Sequence, residues 1–141
     1  MLTVLVSFDT IFYTFLLGLC LNHPLRPTIK ELTAKILEAD KSLSKDEGLF
    51  ADPGAAVGEL NKLKIGDSSD VWSLILKLLK DIGPTDYTGG KPPLKSYLKA
   101  IQGRDLFAFS WFSKTLNKKM YLKFALKNDR FYYVSLHEDK P

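Results

Sequence analysis

From about residue 106 to residue 137, apolar and polar residues alternate along the chain, as they do in a strand with one buried face. The alternation predicts three β-strands, over residues 106–112, 119–126 and 131–137. All three segments are rich in aromatic and β-compatible residues, and short polar segments separate them. The last third of the chain is therefore predicted to form an antiparallel meander.

Parity sets the register of the first hairpin, because a slip of one residue turns every side chain of a strand to the other face. A four-residue loop at 114–117 pairs Trp111 with Met120 and Phe109 with Leu122. The apolar residues of the two strands then share one face, so we predict this loop.

For the second hairpin, two loop lengths compete. A three-residue loop at 127–129 pairs Leu122 with Val134, whereas a two-residue loop pairs Leu122 with Ser135. We predict the three-residue loop because it keeps apolar residues opposite one another, and Asn or Asp tolerates the left-handed conformation that such a loop requires.

The opposite face of the meander then carries its polar side chains. Its predicted members are Ala108, Ser110, Phe112, Lys119, Tyr121, Lys123, Phe131, Tyr133, Ser135 and His137. This register places Lys119 opposite His137. It also places Lys123 opposite Tyr133 and leaves Tyr121 between two serines.

A helical spacing of apolar residues dominates the chain before residue 103. It predicts helices over about 7–21, 28–40, 55–63, 68–82 and 94–101, with loops at 41–56 and 84–93. Thr28 and Glu31 fit a capping box, and Val71 to Ile82 carry a broad apolar stripe. The pattern predicts one α+β domain over residues 1–141, in which N-terminal helices pack on a C-terminal antiparallel sheet of at least three strands.

Composition narrows the class of protein. Hydrophobic residues make up 45% of the 141 residues and the net charge is +4, which permits a nucleic-acid or other anionic partner. The single cysteine, Cys20, excludes an internal disulfide and indicates a reducing, cytoplasmic setting. The apolar run from Leu2 to Leu21 contains Asp9 and lacks the basic start of a secretory signal, so we expect a buried helix rather than a membrane span.

The polar face carries the candidate chemistry. Lysine can hold a phosphate, tyrosine can stack on a base and donate a proton, and histidine titrates near neutral pH. The candidate catalytic residues are Tyr121, His137, Lys119 and Lys123, and the candidate binding residues are Tyr133, Ser135, Ser110, Lys95, Lys99 and Arg104. The competing interpretation is a solvated face, because one side of an antiparallel sheet usually meets water. No spacing of ligands suggests a metal or cofactor.

The segment KMYLKFALKNDRFYYVSLHED, residues 119–139, resembles the C-terminal hairpin of RelE-superfamily toxins, most closely that of the MqsR branch. The resemblance implies a compact α/β fold and metal-independent cleavage of mRNA, with a cognate antitoxin as partner. Tyr121 and Lys123 match the family's tyrosine-leucine-lysine strand, and His137 falls where the family places a late basic residue. The chain departs from the family in its longer N-terminal half and in the lack of an arginine on the sheet.

Two functional hypotheses follow. The first is a toxin-type endoribonuclease that uses the polar sheet face. The second is a protein-binding module that is not an enzyme, such as an antitoxin, an immunity factor or a phage-encoded inhibitor, whose aromatic residues form the interface.

Overall fold

A computed structural model describes residues 25–65 and 68–140 of the chain. In these ranges the helices are α1 (Ile29–Lys45), α2 (Pro53–Lys62) and α3 (Ser68–Asp81), and the strands are β1 (Leu49–Phe50), β2 (Phe107–Ser113), β3 (Lys118–Lys127) and β4 (Arg130–Glu138). The strands form one sheet in the order β1–β4–β3–β2, in which β1 is parallel to β4 and the other pairs are antiparallel. The predicted α+β fold is confirmed. The helix predicted over 7–21 and Cys20 lie outside the described residues.

Helix α1 begins as the sequence predicts and ends later. The Thr28 side chain accepts a hydrogen bond from the backbone N–H of Glu31 at 3.0 Å, which caps the first turn. The Glu31 carboxylate pairs with the guanidinium of Arg26. The helix continues to Lys45 because Ala39 and Leu43 extend its buried stripe. The predicted loop over 41–56 is therefore wrong, since it contains the end of α1, all of β1 and the start of α2.

Helix α3 lies at the centre of the core, as its stripe predicts. Val71, Ile75 and Leu78 have no exposed surface, and they share one cluster with Phe109 and Leu122 of the sheet. The fold thus buries one face of the sheet against the helices.

The segment between α3 and β2 departs from the predicted helix over 94–101. Only Lys99–Ile101 is helical, as a 3-10 turn. Residues 94–106 instead double back on themselves, because the Ser96 N–H donates to the Arg104 carbonyl and the Leu106 N–H donates to the Leu94 carbonyl. We call this segment the 94–106 loop.

The first hairpin of the meander has the predicted register, with Trp111 opposite Met120 and Phe109 opposite Leu122. The second hairpin does not. Asn128 and Asp129 form a two-residue turn in which both have positive φ, 52° and 61°. Two-residue turns of this kind match the twist of the strands that they join.

A register shift between Lys123 and Phe124 explains why the two-residue turn is compatible with an apolar core. On one side of it Phe124 pairs with Tyr133, and on the other Lys123 pairs with Ser135, so Val134 is an extra residue in β4. This bulge inverts the alternation of β4 at mid-strand. Residues before and after it both place apolar side chains on the buried face.

The bulge overturns four predicted placements on the polar face. Phe131 and Tyr133, predicted to lie on that face, are buried in the core with 1% and 0% exposure. The other two predictions concerned cross-strand pairs between β3 and β4, and both pairs differ in the structure. His137 lies opposite Tyr121, not Lys119. Lys123 lies opposite Ser135, not Tyr133.

Candidate functional site

The centre of the polar face is a stacked pair of rings. Tyr121 of β3 lies opposite His137 of β4, and their ring centroids are 4.8 Å apart with an angle of 17° between the planes. On the other side of Tyr121 lies Ser110 of β2. The register of the sheet thus brings two of the predicted catalytic residues into direct contact.

The hydrogen bond of His137 favours one tautomer. Its Nδ1 lies 3.0 Å from the carbonyl oxygen of Glu138. A carbonyl can only accept, so Nδ1 carries the proton in this contact. In the neutral ring Nε2 then has a free lone pair, which is the atom that a general base requires.

The environment of Tyr121 keeps its hydroxyl protonated. Burial raises the pKa of Tyr121, and the negative charges of Asp139 and Glu59 raise it further. Asp139 is itself held in place, because its carboxylate accepts a hydrogen bond from Ser110 and its N–H donates to the Lys119 carbonyl. Tyr121 can therefore donate a hydrogen bond or a proton at neutral pH, but it cannot act as a base.

A basic cleft of about 440 Å³ opens beside His137, between the end of α2 and the end of β4. Its polar lining residues are Glu59, Lys62, Lys118, His137, Glu138 and Lys140. We call it the His137 cleft. One of the two carboxylates, that of Glu138, lies 3.8 Å from the Lys118 ammonium. With three lysines against two glutamates, the cleft favours an anion.

Glu59 joins helix α2 to the part of the β4 edge that lies beyond β1. Its carboxylate accepts hydrogen bonds from the Tyr133 hydroxyl at 2.7 Å, the Ser135 hydroxyl at 2.6 Å and the Leu136 N–H at 3.0 Å. Burial and the bond to Glu59 raise the pKa of Tyr133 well above its ordinary range. Tyr133 is therefore a core residue anchored by Glu59, and its hydroxyl is already engaged.

The other predicted site residues fall around this centre. Lys119 and Lys123 flank Tyr121 on the same face of β3, two positions away on either side. Ser135 lies opposite Lys123 and donates to Glu59. These positions keep both lysines near the stacked rings, although neither lies opposite His137.

Three of the predicted binding residues lie on the 94–106 loop. Lys95 pairs with Asp105, which also pairs with Arg26. Burial opposes ionisation of Asp105, but these two cations prevail and hold its pKa below the ordinary value. Lys99 and Arg104 are exposed on the same loop.

The sequence pattern did not indicate several residues that complete the site. Lys62 and Glu59 come from α2, Lys118 begins β3, and Lys140 follows β4, so their proximity depends on tertiary structure. Glu138 and Asp139 could be expected near the site, because both carboxylates directly follow His137 in the sequence.

Within the described ranges, no group of three His, Cys, Asp or Glu side chains could hold a metal ion. None of the helices described has both the length and the apolar character needed to cross a bilayer. Comparison of the chain with protein-family models, with curated proteins and with solved structures finds no match.

Proposed function

We propose that the protein is a metal-independent endoribonuclease of the toxin–antitoxin type, which cleaves mRNA in the cytoplasm at the Tyr121–His137 pair. The observation that carries this proposal is the stacking of a tyrosine on a histidine at the rim of a lysine-rich cleft. Attack of a ribose 2′-hydroxyl on the adjacent phosphodiester requires an acid and a base beside a cationic pocket.

In the proposed reaction, His137 Nε2 removes the proton of the ribose 2′-hydroxyl as that oxygen attacks the phosphorus atom. The bond from phosphorus to the 2′-oxygen forms and the bond to the 5′-oxygen breaks. Tyr121 gives its proton to the departing 5′-oxygen, which is far more basic than a tyrosinate even when burial raises the pKa of Tyr121. The products are a 2′,3′-cyclic phosphate and a 5′-hydroxyl.

The lysines supply the charge that the reaction needs. As the 2′-oxygen attacks, negative charge accumulates on the non-bridging phosphate oxygens. Lys62, Lys118 and Lys140 line the cleft beside His137, and Lys119 and Lys123 flank Tyr121. Cations that are already in place stabilise such charge without reorganisation.

Cleavage of a defined mRNA by purified protein tests this proposal, with His137→Ala and Tyr121→Phe as variants. Loss of an acid or base lowers the rate by roughly 10²- to 10⁴-fold, and we expect losses in this range for both. Lys118→Ala should also lower the rate because Lys118 lines the cleft, whereas its matched control Lys77→Ala should not, because Lys77 is an exposed lysine on α3, on the opposite side of the sheet. Full activity in both His137→Ala and Tyr121→Phe would refute the site.

The exposed aromatic residues favour a second candidate function, a module that binds a protein and is not an enzyme. Phe112, on the same sheet face, is 60% exposed, and aromatic residues are enriched at protein interfaces. In this alternative the chain is an antitoxin, an immunity factor or a phage-encoded inhibitor, and its partner protein covers the sheet face. Salt separates the two functions, because RNA binding weakens steeply as salt rises and an apolar interface does not.

A further inference from the structure

A second depression on the polar side of the sheet lies between the 94–106 loop and the strands. It has a volume of about 460 Å³, and Leu94, Tyr97 and Leu106 line it on the loop side. Lys123 of β3 and Val134 of β4 line it on the sheet side. We call it the Tyr97 groove.

Tyr97 is 94% exposed although its backbone is held in place. The neighbouring Ser96 is 3% exposed, its N–H donates to the Arg104 carbonyl, and its hydroxyl accepts from the Leu98 N–H. Its carbonyl also accepts from the Gly103 N–H. The loop therefore presents a large aromatic ring to solvent from an anchored backbone, so stacking of a ligand on the ring would cost little backbone entropy.

The charge around the groove is positive. Lys95 and Lys123 belong to its lining, and among the described residues that line it none is a carboxylate. The nearest acid in sequence, Asp105, is neutralised by Arg26 and Lys95. Because Lys95 is engaged by Asp105, the positive charge that a ligand meets in the groove is that of Lys123. A flat aromatic ring beside this lysine suits a ligand that has both a π-face and a negative charge, which is the chemistry of a nucleotide.

The groove lies next to the proposed catalytic pair on the sheet. Lys123, at its edge, lies opposite Ser135, and Tyr121 opposite His137 is the next pair along the same face. Residues two apart on one strand are about 7 Å apart. A strand of RNA with one phosphate at His137 could therefore place a neighbouring nucleotide at Lys123.

We propose that the Tyr97 groove is a subsite for one unpaired base of the RNA, which stacks on the Tyr97 ring while Lys123 holds the adjoining phosphate. The identity of the ligand as RNA rests on the proposed function. The groove restricts cleavage to unpaired RNA, because a base within a duplex has no free face for the tyrosine ring.

The experiment measures binding of a fluorescently labelled single-stranded RNA of eight nucleotides to the full chain carrying His137→Ala, in which cleavage is expected to be roughly 10²- to 10⁴-fold slower than in the wild type. Loss of one base–aromatic stack costs about 1–3 kcal/mol, which is roughly a 5- to 150-fold rise in Kd. We expect a rise in this range for Tyr97→Ala and a rise of less than twofold for Tyr97→Phe. Leu37→Ala, a control at a 64% exposed site on α1, should leave Kd unchanged.

A variant with Tyr97→Trp gives a direct signal, because Trp72 and Trp111 are buried and the new indole would be exposed. We expect single-stranded RNA to quench its fluorescence, and a duplex of the same sequence to leave it unchanged. Equal Kd values for Tyr97→Ala and its parent would overturn the subsite, as would capture of a protein at this groove without any RNA binding.

The outcomes for the subsite and for the proposed function can be told apart. If the wild-type chain cleaves RNA and Tyr97→Ala changes neither Kd nor KM, the subsite is refuted alone. If the wild-type chain binds RNA through Tyr97 but leaves it intact, the ribonuclease proposal is refuted and the subsite stands. If no RNA binds, both are refuted.

Discussion

Replacement of Glu59 should destabilise the protein more than any other single change to its partly exposed carboxylates. The Glu59 side chain accepts three hydrogen bonds, from the Tyr133 hydroxyl, the Ser135 hydroxyl and the Leu136 N–H. In Glu59→Ala all three donors lose their acceptor, next to the bulge that brings His137 to the polar face. The free energy of unfolding is therefore the quantity to measure.

The burial of each donor sets the magnitude. A buried donor left without a partner costs about 1–3 kcal/mol, and this applies in full to Tyr133, which has no exposed surface. Ser135 is only half-buried, so its hydroxyl can turn to water at a cost below about 1 kcal/mol. Leu136 also has no exposed surface, so the loss of a partner for its N–H adds a second cost of about 1–3 kcal/mol. We expect Glu59→Ala to lower the free energy of unfolding by about 2–7 kcal/mol, and Glu59→Gln by about half as much because its oxygen remains an acceptor.

Urea denaturation followed by circular dichroism measures this loss, and urea leaves the ionic interactions unscreened. Glu47→Ala is the matched control. Glu47 is an exposed glutamate whose backbone carbonyl, rather than its side chain, accepts from Arg130. We expect this control to lie within about 0.5 kcal/mol of the wild type, as surface substitutions generally do.

A double-mutant cycle assigns the effect to the correct bond. In a chain that already carries Tyr133→Phe, the Tyr133 hydroxyl is gone, so Glu59→Ala should cost about 1 kcal/mol less than it does in the wild type. If Glu59→Ala is as stable as Glu47→Ala, or if the cost does not change in the Tyr133→Phe chain, then Glu59 does not anchor the β4 edge in the way described.

Two further predictions concern packing and pH. A Cβ atom at Gly48 would lie 2.6 Å from the ring of buried Trp72, so Gly48→Ala should destabilise the fold by about 1–3 kcal/mol in urea. Gly58→Ala, where a Cβ meets nothing within 4 Å inside a helix, should be neutral or stabilising by up to about 1 kcal/mol, and equal effects would contradict the packing. The pKa of Asp105 is lowered in the folded chain, so its ion pairs stabilise the fold above the ordinary carboxylate pKa near 4, and this contribution is lost as pH falls through the lower folded value. In Asp105→Asn, the free energy of unfolding should therefore fall less steeply than in the wild type as the pH drops below about 5. An unchanged pH dependence would contradict the role of the Lys95–Asp105 pair.

Local patterns predicted the start of α1, the position of α3 and the first hairpin, because the residues that define each pattern are neighbours in the chain. They missed β1 and wrongly predicted a helix over 94–101. Thr28 caps α1, the stripe of α3 is buried, and the first hairpin has the register that parity required. The predicted end of α1 was too early. Ala39 and Leu43 continue the helical spacing that Ile36 begins, so the sequence did contain that information.

The register of the second hairpin could not be predicted by parity, because parity assumes an unbroken alternation. A bulge adds one residue to one strand and cancels the slip that a two-residue turn introduces. Asn128 and Asp129 favour such a two-residue turn. Without a bulge, however, that turn would pair Leu122 with Ser135, and parity excluded it for this reason. With Val134 unpaired, Leu122 faces Leu136 instead, and Tyr133 moves from the predicted site into the core.

The candidate site was predicted where it lies on consecutive strands and missed where it depends on other elements. Tyr121 was placed on the polar face by the alternation of β3, and Lys119 and Lys123 share that face with it. The lysines of the His137 cleft come from α2, from the start of β3 and from the segment after β4. Contacts between such distant segments leave no periodic signal in a single sequence.

Cleavage of a defined single-stranded RNA in the presence of EDTA, by the wild-type chain and by His137→Ala, tests the central claim most directly. The account predicts that the wild-type chain yields fragments ending in a 2′,3′-cyclic phosphate. It also predicts that His137→Ala cleaves roughly 10²- to 10⁴-fold more slowly, and that a substrate with 2′-deoxyribose at the cleaved position stays intact. Intact RNA with the wild-type chain, or equal rates for the two chains, would contradict the account.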